Sequence, residues 1–330
     1  MTLQPASLAD LSRLLAECHA AKRLIESVDL DGLAAVRDHS PEDMTVTVEG
    51  GMNLAELQDR LAASGQWLPI DPPGAGRVTI RQLLSENLSG PRRCGFGTIR
   101  EHLLGLEAVL PDGRVIHSGG KVVKNVAGYD LLKLFVGARD SLGIISAATF
   151  KLRPLPTREE LRSIKLDTIA EALAVVESVL ASPLTPVALD LDNLQLAPGQ
   201  PFKFTLSVAF AGSIEEVAWQ RAKAAQLGFP AGNSAPEIPL QTEVPLVPLP
   251  RDAVFWSDVS TPVSQGSVLP SSLGEALAPL GRTPFIARAA NGVFYHRGSP
   301  LPRPAASGTI LAQRLKDTFD PHRILPPSPL

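Results

Sequence analysis

Between Gly119 and Pro156 runs the string GGKVVKNVAGYDLLKLFVGARDSLGIISAATFKLRPLP. Five glycines, a Lys124-Asn125 pair and a Tyr129-Asp130 pair interrupt an otherwise apolar stretch. Glycine lacks a Cβ and tolerates positive φ, so a glycine-punctuated wall lets backbone N–H groups come close to a phosphate. The same Gly119, Gly120, Gly128, Gly137 and Gly143 also suit the turns of a plain scaffold, and their spacing leaves both uses open. Lys124-Asn125 either reaches a ligand or holds the Gly128 turn from behind. A second group is His296, next to Arg297 and near Arg288, in the string ARAANGVFYHRG. A histidine beside arginines can supply a base for a proton and a cation for an anionic group. Its alternative is a strand end at the surface. His19, His39, His102, His117 and His322 stand alone, and no paired-ligand spacing points to a metal. Cys94 is either a thiol for covalent attachment of a cofactor or an ordinary packing residue. Trp67, Trp219 and Trp256 read as core or interface residues. No nucleophile triad can be argued from the spacings, so no catalytic residue is assigned.

The elements that must carry these residues fit two domains in 330 residues, with 44% hydrophobic content for their cores. A net charge of −3 gives no basic footprint, so nucleic acid is not an expected partner. Two cysteines, Cys18 and Cys94, make a disulfide framework unlikely to be the basis of the fold and imply a reducing cytoplasm. Two thiols also cannot hold a four-thiolate iron–sulfur cluster, so any such centre must sit on another chain. The N-terminal residues read as an amphipathic helix and not as a signal peptide. No run of about 18 apolar residues is present, so no membrane span is expected.

Leucines and alanines at helical spacing predict a helix over Ser7 to Lys22, with Ser7 as its cap. Alternation predicts strands over Met44–Glu49, Leu106–Leu110, Val115–His117 and Ile144–Leu152. Asn53 should cap a helix that stops at Gly65, and DLLKLFVG reads as a short helix capped by Asp130. After Pro156 the order becomes β-α-β-β-α, which suits an antiparallel sheet with helices on one face. Ala231 to Ser272 is Pro- and Ser-rich, and pieces such as AVFWSDV predict a strand or two there. Phe255, Trp256 and the surrounding Pro-rich loops are expected to expose an apolar patch for a partner. A final helix follows in GTILAQRLKDTFD. The chain thus divides into residues 1–155 and 156–330.

Four strings carry a family likeness: the glycine-punctuated stretch, SGPRRCGFGTIREHLLGLEAVLPDGRVI, SPEDMTVTVEGGMNLAELQDRLAASGQWLPIDPP and the tail LAQRLKDTFDPHRIL. Together they resemble the FAD-linked oxidases of the vanillyl-alcohol-oxidase type, and among those the E-type subunits of bacterial glycolate oxidases. The resemblance covers most of residues 40–156 and the last thirty. It implies an α+β fold: a PCMH-type FAD-binding domain followed by an antiparallel α+β cap. It implies FAD lying extended between two subdomains. Pro72 would line the flavin side. Ser89, Gly90, Arg92 and Arg93 would lie near the pyrophosphate or ribityl chain, with an arginine as counter-charge. Gly128, Tyr129 and Asp130 would shape the turn beside the cofactor, and Gly143, Ile144 and Ile145 would lend backbone groups to the adenine end. The partners implied are a larger catalytic flavoprotein and an iron–sulfur subunit.

Three departures from that pattern bear on the cofactor. Between Arg23 and Asp43 the chain is short, with Gly32 as its one glycine and with Asp29, Asp31 and Asp38, where the family has a Gly-rich phosphate cradle. The fold is therefore expected to be truncated at its N-terminal phosphate-binding part. Arg81-Gln82 stands where the family commonly has Gly-Gly. Pro326 replaces an asparagine near the flavin ring. These departures predict an open half-cleft, with FAD loosely held or absent in the isolated chain. They keep a non-catalytic assembly subunit as the alternative to a FAD-carrying one.

Overall fold

The computed structural model describes residues 1–120, 132–195, 201–230, 249–299 and 309–327. They form two compact units. The first comprises Met1–Ser89, Thr98–Leu155 and Arg303–Leu330, the second Gly90–Gly97 and Pro156–Pro302.

The first unit begins with a small parallel pair, Thr2–Leu3 beside Ser27–Val28, joined by the helix Leu8–Ala20. Ser7 caps that helix by accepting from the Asp10 N–H. Leu11, Leu15 and Cys18 on its buried face pack with Val28, Leu30 and Leu33 into a small core that also takes in Ile324 and Leu325. A five-stranded antiparallel sheet follows, in the order Val36–Ser40, Thr45–Glu49, Ile144–Lys151, Leu103–Val109, Val115–Gly119. Alternation along these strands puts Val46, Val48, Leu106, Ala108, Ile145 and Phe150 on the face covered by the helices Leu54–Ala62 and Ile80–Ser85. Asn53 caps the first of these helices and Thr79 the second, the latter through a reciprocal capping box with Gln82.

The second unit is a six-stranded antiparallel sheet in the order Arg158–Leu166, Phe204–Gly212, Ala188–Asp192, Phe285–Arg288, Val293–His296, Ser264–Ser267. The helices Ile169–Leu180 and Ile214–Ala225, each opened by a capping box, supply Val176, Val179 and Val217 to a core with Leu206, Val208 and Phe210.

The expected α+β plan is the one observed, and the expected strands recur within a few residues. Three details differ. The final helix, Thr309–Phe319, belongs with the first unit and not with residues 156–330, because Leu315 and Phe319 pack on the first core and Phe319 meets Phe135 edge-on at 6.0 Å. Gly90–Gly97 belongs with the second unit, where the Gly95 N–H donates to the Val187 carbonyl at 3.2 Å. The segment holding AVFWS is the helix Pro250–Ser257, with proline at its first position, and Phe255 is buried. The expected patch around Phe255 and Trp256 is therefore not formed by those rings. Trp256 stacks edge-on with Phe255 and Tyr295 and donates to Asp252 at 3.2 Å.

The tail is fastened by one buried lysine. Lys316 Nζ donates to Asp320 Oδ2 at 2.7 Å and to the carbonyls of Ser141, Leu325 and Pro326 at 2.9, 3.1 and 2.8 Å. Removing the ammonium strands a buried carboxylate and three acceptors, so Lys316→Ala should cost about 3–5 kcal/mol. Urea unfolding of the variant beside the native chain checks this, and a loss below about 1 kcal/mol would show the lysine to be dispensable.

Candidate functional site

One hollow in the first unit, about 130 Å³, gathers residues from the three segments that depart from the family pattern, together with Asp140 and Ile144. Val28 ends the N-terminal parallel pair, and Arg81 stands at the head of its helix. Asp140 lies in the turn after Gly137, Ile144 starts its strand, and Pro326 comes from the tail. Arg81 Nη1 is paired with Asp140 Oδ2, and its Nη2 donates to the Val28 carbonyl at 2.9 Å. Both side chains of the pair are only 15% exposed. Asp140 adopts φ +60, a left-handed conformation that side chains seldom take, and Arg139 before it has φ +49. Burial pushes the Asp140 carboxyl up, against the opposing pull of Arg81. Its second oxygen, Oδ1, is buried with no hydrogen-bond partner.

The residues assigned from the resemblance fall as follows. Gly143, Ile144 and Ile145 are buried at the start of the Ile144–Lys151 strand, with Ile144 facing the N-terminal core and Ile145 the sheet core. A Cβ on Gly143 would sit 2.9 Å from the Val109 carbonyl, and one on Gly119 only 2.1 Å from that of Leu104. Both glycines are thus required by strand packing. Pro72 is buried, and Ser89 is half-buried at the end of its segment of the first unit. Gly90, Arg92 and Arg93 belong to the second unit. There Arg92 is fully buried and makes a bidentate pair with Glu159, Nε to Oε1 at 2.9 Å and Nη2 to Oε2 at 2.7 Å. Its charge is therefore matched within the unit, while Arg93 is half-buried. Gly128, Tyr129 and Asp130, with Lys124-Asn125, lie outside the described residues.

The His296 group separates. His296 stands opposite Phe285 and Arg288 opposite Val293, on alternate positions of neighbouring strands, so the two side chains leave opposite faces of the sheet. His296 is buried, not at the surface, with its ring against Phe294 and its Nδ1 accepting from the Gly298 N–H at 3.2 Å. Burial holds its pKa down and keeps the ring neutral. Arg288 pairs with Asp190 at 2.7 Å and with Asp252, and Arg251 pairs with Asp192. Arg297 donates to the Thr261 carbonyl at 2.7 Å and lies over the Phe255 ring. Sequence reading missed these ion pairs because their partners lie far apart along the chain.

A second hollow of about 190 Å³ lies on the first sheet beside Arg37, Glu107 and His117. Arg37 already pairs with Glu49 and Glu107, each at 3.0 Å, so its cation is matched by carboxylates. Among the described residues no cluster of metal-binding side chains is found, and no helix is long and apolar enough to cross a membrane.

A family profile described as an FAD binding domain matches residues 25–119. Glycolate oxidase subunit GlcE of Escherichia coli is 30% identical over 239 residues, which cover 70% of this chain and 67% of that protein. Glycolate oxidase subunit GlcD of Bacillus subtilis is 35% identical over 149 residues, 45% of this chain and 32% of that protein. D-lactate dehydrogenase of Archaeoglobus fulgidus is 38% identical over 140 residues, 42% of this chain and 31% of that protein. The chain thus spans about a third of the length of these last two relatives. Among solved structures, alkyldihydroxyacetonephosphate synthase matches with a TM-score of 0.70 at 18% identity, covering 98% of this chain and 75% of that one, which shows the shared fold. The chain belongs to the family of FAD-linked glycolate oxidase subunits typified by GlcE, and FAD is the cofactor this family implies.

Cys94 packs against the core of the second unit, and burial, with Asp190 nearby, pushes its thiol up to about 11. At pH 8 only about one such thiol in a thousand is ionised, against about a quarter of free cysteine. Iodoacetamide should therefore label Cys94 at pH 8 at least about a hundredfold more slowly in the native chain than in urea. Peptide mass spectrometry over time reads both rates, and equal rates would refute the buried, inert thiol.

Proposed function

We propose that this chain is a subunit of a glycolate-oxidase-like assembly that oxidises a small 2-hydroxy acid. It works in the cytoplasm beside a larger catalytic flavoprotein and an iron–sulfur subunit. Kinship with a glycolate oxidase subunit over two thirds of both chains supports the assembly. The two cysteines of the whole sequence leave a cluster of four thiolates to another chain.

The observation that carries the division of labour is in the second unit. Arg92, Arg251 and Arg288, the cations best placed to meet a substrate carboxylate from that sheet, each face a carboxylate of this chain. His296 is turned to the other face of the sheet. A hydroxy acid needs a base and an unpaired cation together, and His296 with these three arginines does not supply them. That favours a second, narrower reading, in which the chain keeps the fold of a flavoprotein subunit and contributes binding surface, while the chemistry belongs to its partner.

Affinity purification of the tagged full chain from its native host tests the assembly. A larger flavoprotein and an iron–sulfur protein should come with it, and 2-hydroxy-acid oxidation should follow the complex and be absent from the chain alone. Recovery of the chain by itself, or turnover of a hydroxy acid by the purified chain unaided, would overturn the reading.

A further inference from the structure

We propose that the Arg81–Asp140 ion pair stands where a dinucleotide's phosphates would be neutralised, so that this domain closes on itself and folds without FAD. The proposal deepens the narrower reading above and concerns the chain's own residues toward the family's cofactor.

A pyrophosphate is held by convergent N–H donors and cations. Among the described residues, the donors of the loop that follows Val28 and of the Gly50–Gly51 turn, next to Arg81, are already occupied. The Asp29 N–H goes to the Leu3 carbonyl at 2.8 Å, that of Asp31 to Asp29 Oδ1 at 3.0 Å, and that of Leu33 to the Leu30 carbonyl at 2.7 Å. Gly50 donates to Ser146 at 2.7 Å, Gly51 to Leu33 at 2.9 Å, and Arg81 through its backbone to Gly50 at 2.8 Å. Gly51, next to the Gly50 carbonyl that receives the Arg81 N–H, is covered by chain. A Cβ on Gly51 would lie 1.9 Å from the Leu30 carbonyl, so the space that glycines open is filled by the Asp29–Leu33 loop.

The charges point the same way. The guanidinium of Arg81 is held by Asp140 and by the Val28 carbonyl. Glu26 lines the hollow, Asp29 and Asp31 lie in the adjoining loop, and the negative charge of Asp29 raises the Asp31 carboxyl. Glu26 is itself paired with the N-terminal ammonium at 3.3 Å, so a phosphate entering here would find Arg81 held by Asp140 and would lie close to carboxylates. The unpartnered, buried Oδ1 of Asp140 would be driven against the ligand's own oxygens. A volume of about 130 Å³ is also below the roughly 300–1,000 Å³ of pockets that enclose small-molecule ligands. The sequence predicted a half-cleft left open; its Gly128–Asp130 wall lies outside the described residues, and on the Arg23–Asp43 side the backbone donors named above are taken by the chain itself.

Isothermal titration of the purified full chain with FAD, ADP and inorganic pyrophosphate is the test. The native chain should give no saturable binding up to about millimolar ligand, and its melting temperature should not move with FAD. Asp140→Asn removes the charge that occupies Arg81, and Asp140→Gly also relieves the left-handed backbone. Each should bind pyrophosphate at least about tenfold more tightly than the native chain, because a freed guanidinium then meets the anion. Micromolar or tighter FAD binding by the native chain would overturn the proposal. So would variants that melt cooperatively yet gain no affinity for pyrophosphate. If neither variant folds, the native titration decides alone. Failure of the assembly reading is seen separately, as loss of co-purifying subunits, and leaves this titration unaffected.

Discussion

The first unit depends on what its backbone donors between Asp29 and Gly51 bond to. An unpaired buried N–H costs free energy comparable to a lost hydrogen bond, so a loop without a ligand must find acceptors within the chain. Here it does. Leu3, Leu30, Leu33, Gly50 and Ser146 supply carbonyls, and Asp29 supplies a side-chain oxygen. Arg81 joins the parts so formed. Its backbone N–H reaches Gly50, and its side chain reaches Val28 and the Asp140 turn. One residue thus ties the N-terminal parallel pair, the start of a helix and the turn before the Ile144–Lys151 strand. The Lys316 ammonium extends the same logic to the tail, which it fixes to the Ser141 carbonyl beside that turn.

The second unit solves a different problem. One face of its sheet is apolar and covered by the Ile169–Leu180 and Ile214–Ala225 helices. The other carries Glu159, Asp190, Asp192 and Arg288, all buried. Buried charges are tolerated only when matched, and here Arg92, Arg251 and Arg288 meet Glu159, Asp192 and the Asp190–Asp252 couple. Such pairs add little net stability over well-packed apolar side chains, because desolvation offsets much of their attraction. Their effect is to fix which segments lie over the sheet. Gly90–Gly97 is held through Arg92, and the Pro250–Ser257 helix through Arg251 and Asp252.

Most of the fold was legible because its signals are local. Alternation marked Thr45–Glu49 and Ile144–Lys151, and Ser7 and Asn53 announced their helices. The misread parts have long-range causes. The helix Pro250–Ser257 looked like a strand because Val254, Phe255 and Trp256 are β-prone residues, while its docking rests on Asp192 and Arg288, both distant in sequence. His296 looked like part of an Arg cluster because neighbours in sequence were taken as neighbours in space, which strand alternation forbids. The three departures from the flavoprotein pattern were visible singly. The resemblance placed them at one site, but the ion pair of Arg81 with Asp140 was not legible, since the two are 59 residues apart and no local pattern links them.

Two of the glycines that first suggested a cofactor wall have a second explanation. Gly119 admits the Leu104 carbonyl beside its strand, and Gly143 the Val109 carbonyl. Each requirement comes from the chain's own packing and would persist with no ligand present. A glycine pattern shaped by both scaffold and cofactor therefore cannot by itself report whether the cofactor remains. Side chains that project into the site carry that information instead. Arg81 at the helix start, Asp140 at φ +60 and Pro326 in the tail line the hollow, and the Arg81–Asp140 pair sets its charge. Packing needs Gly119 and Gly143 with or without a cofactor, so binding has to be read from that pair and not from those glycines.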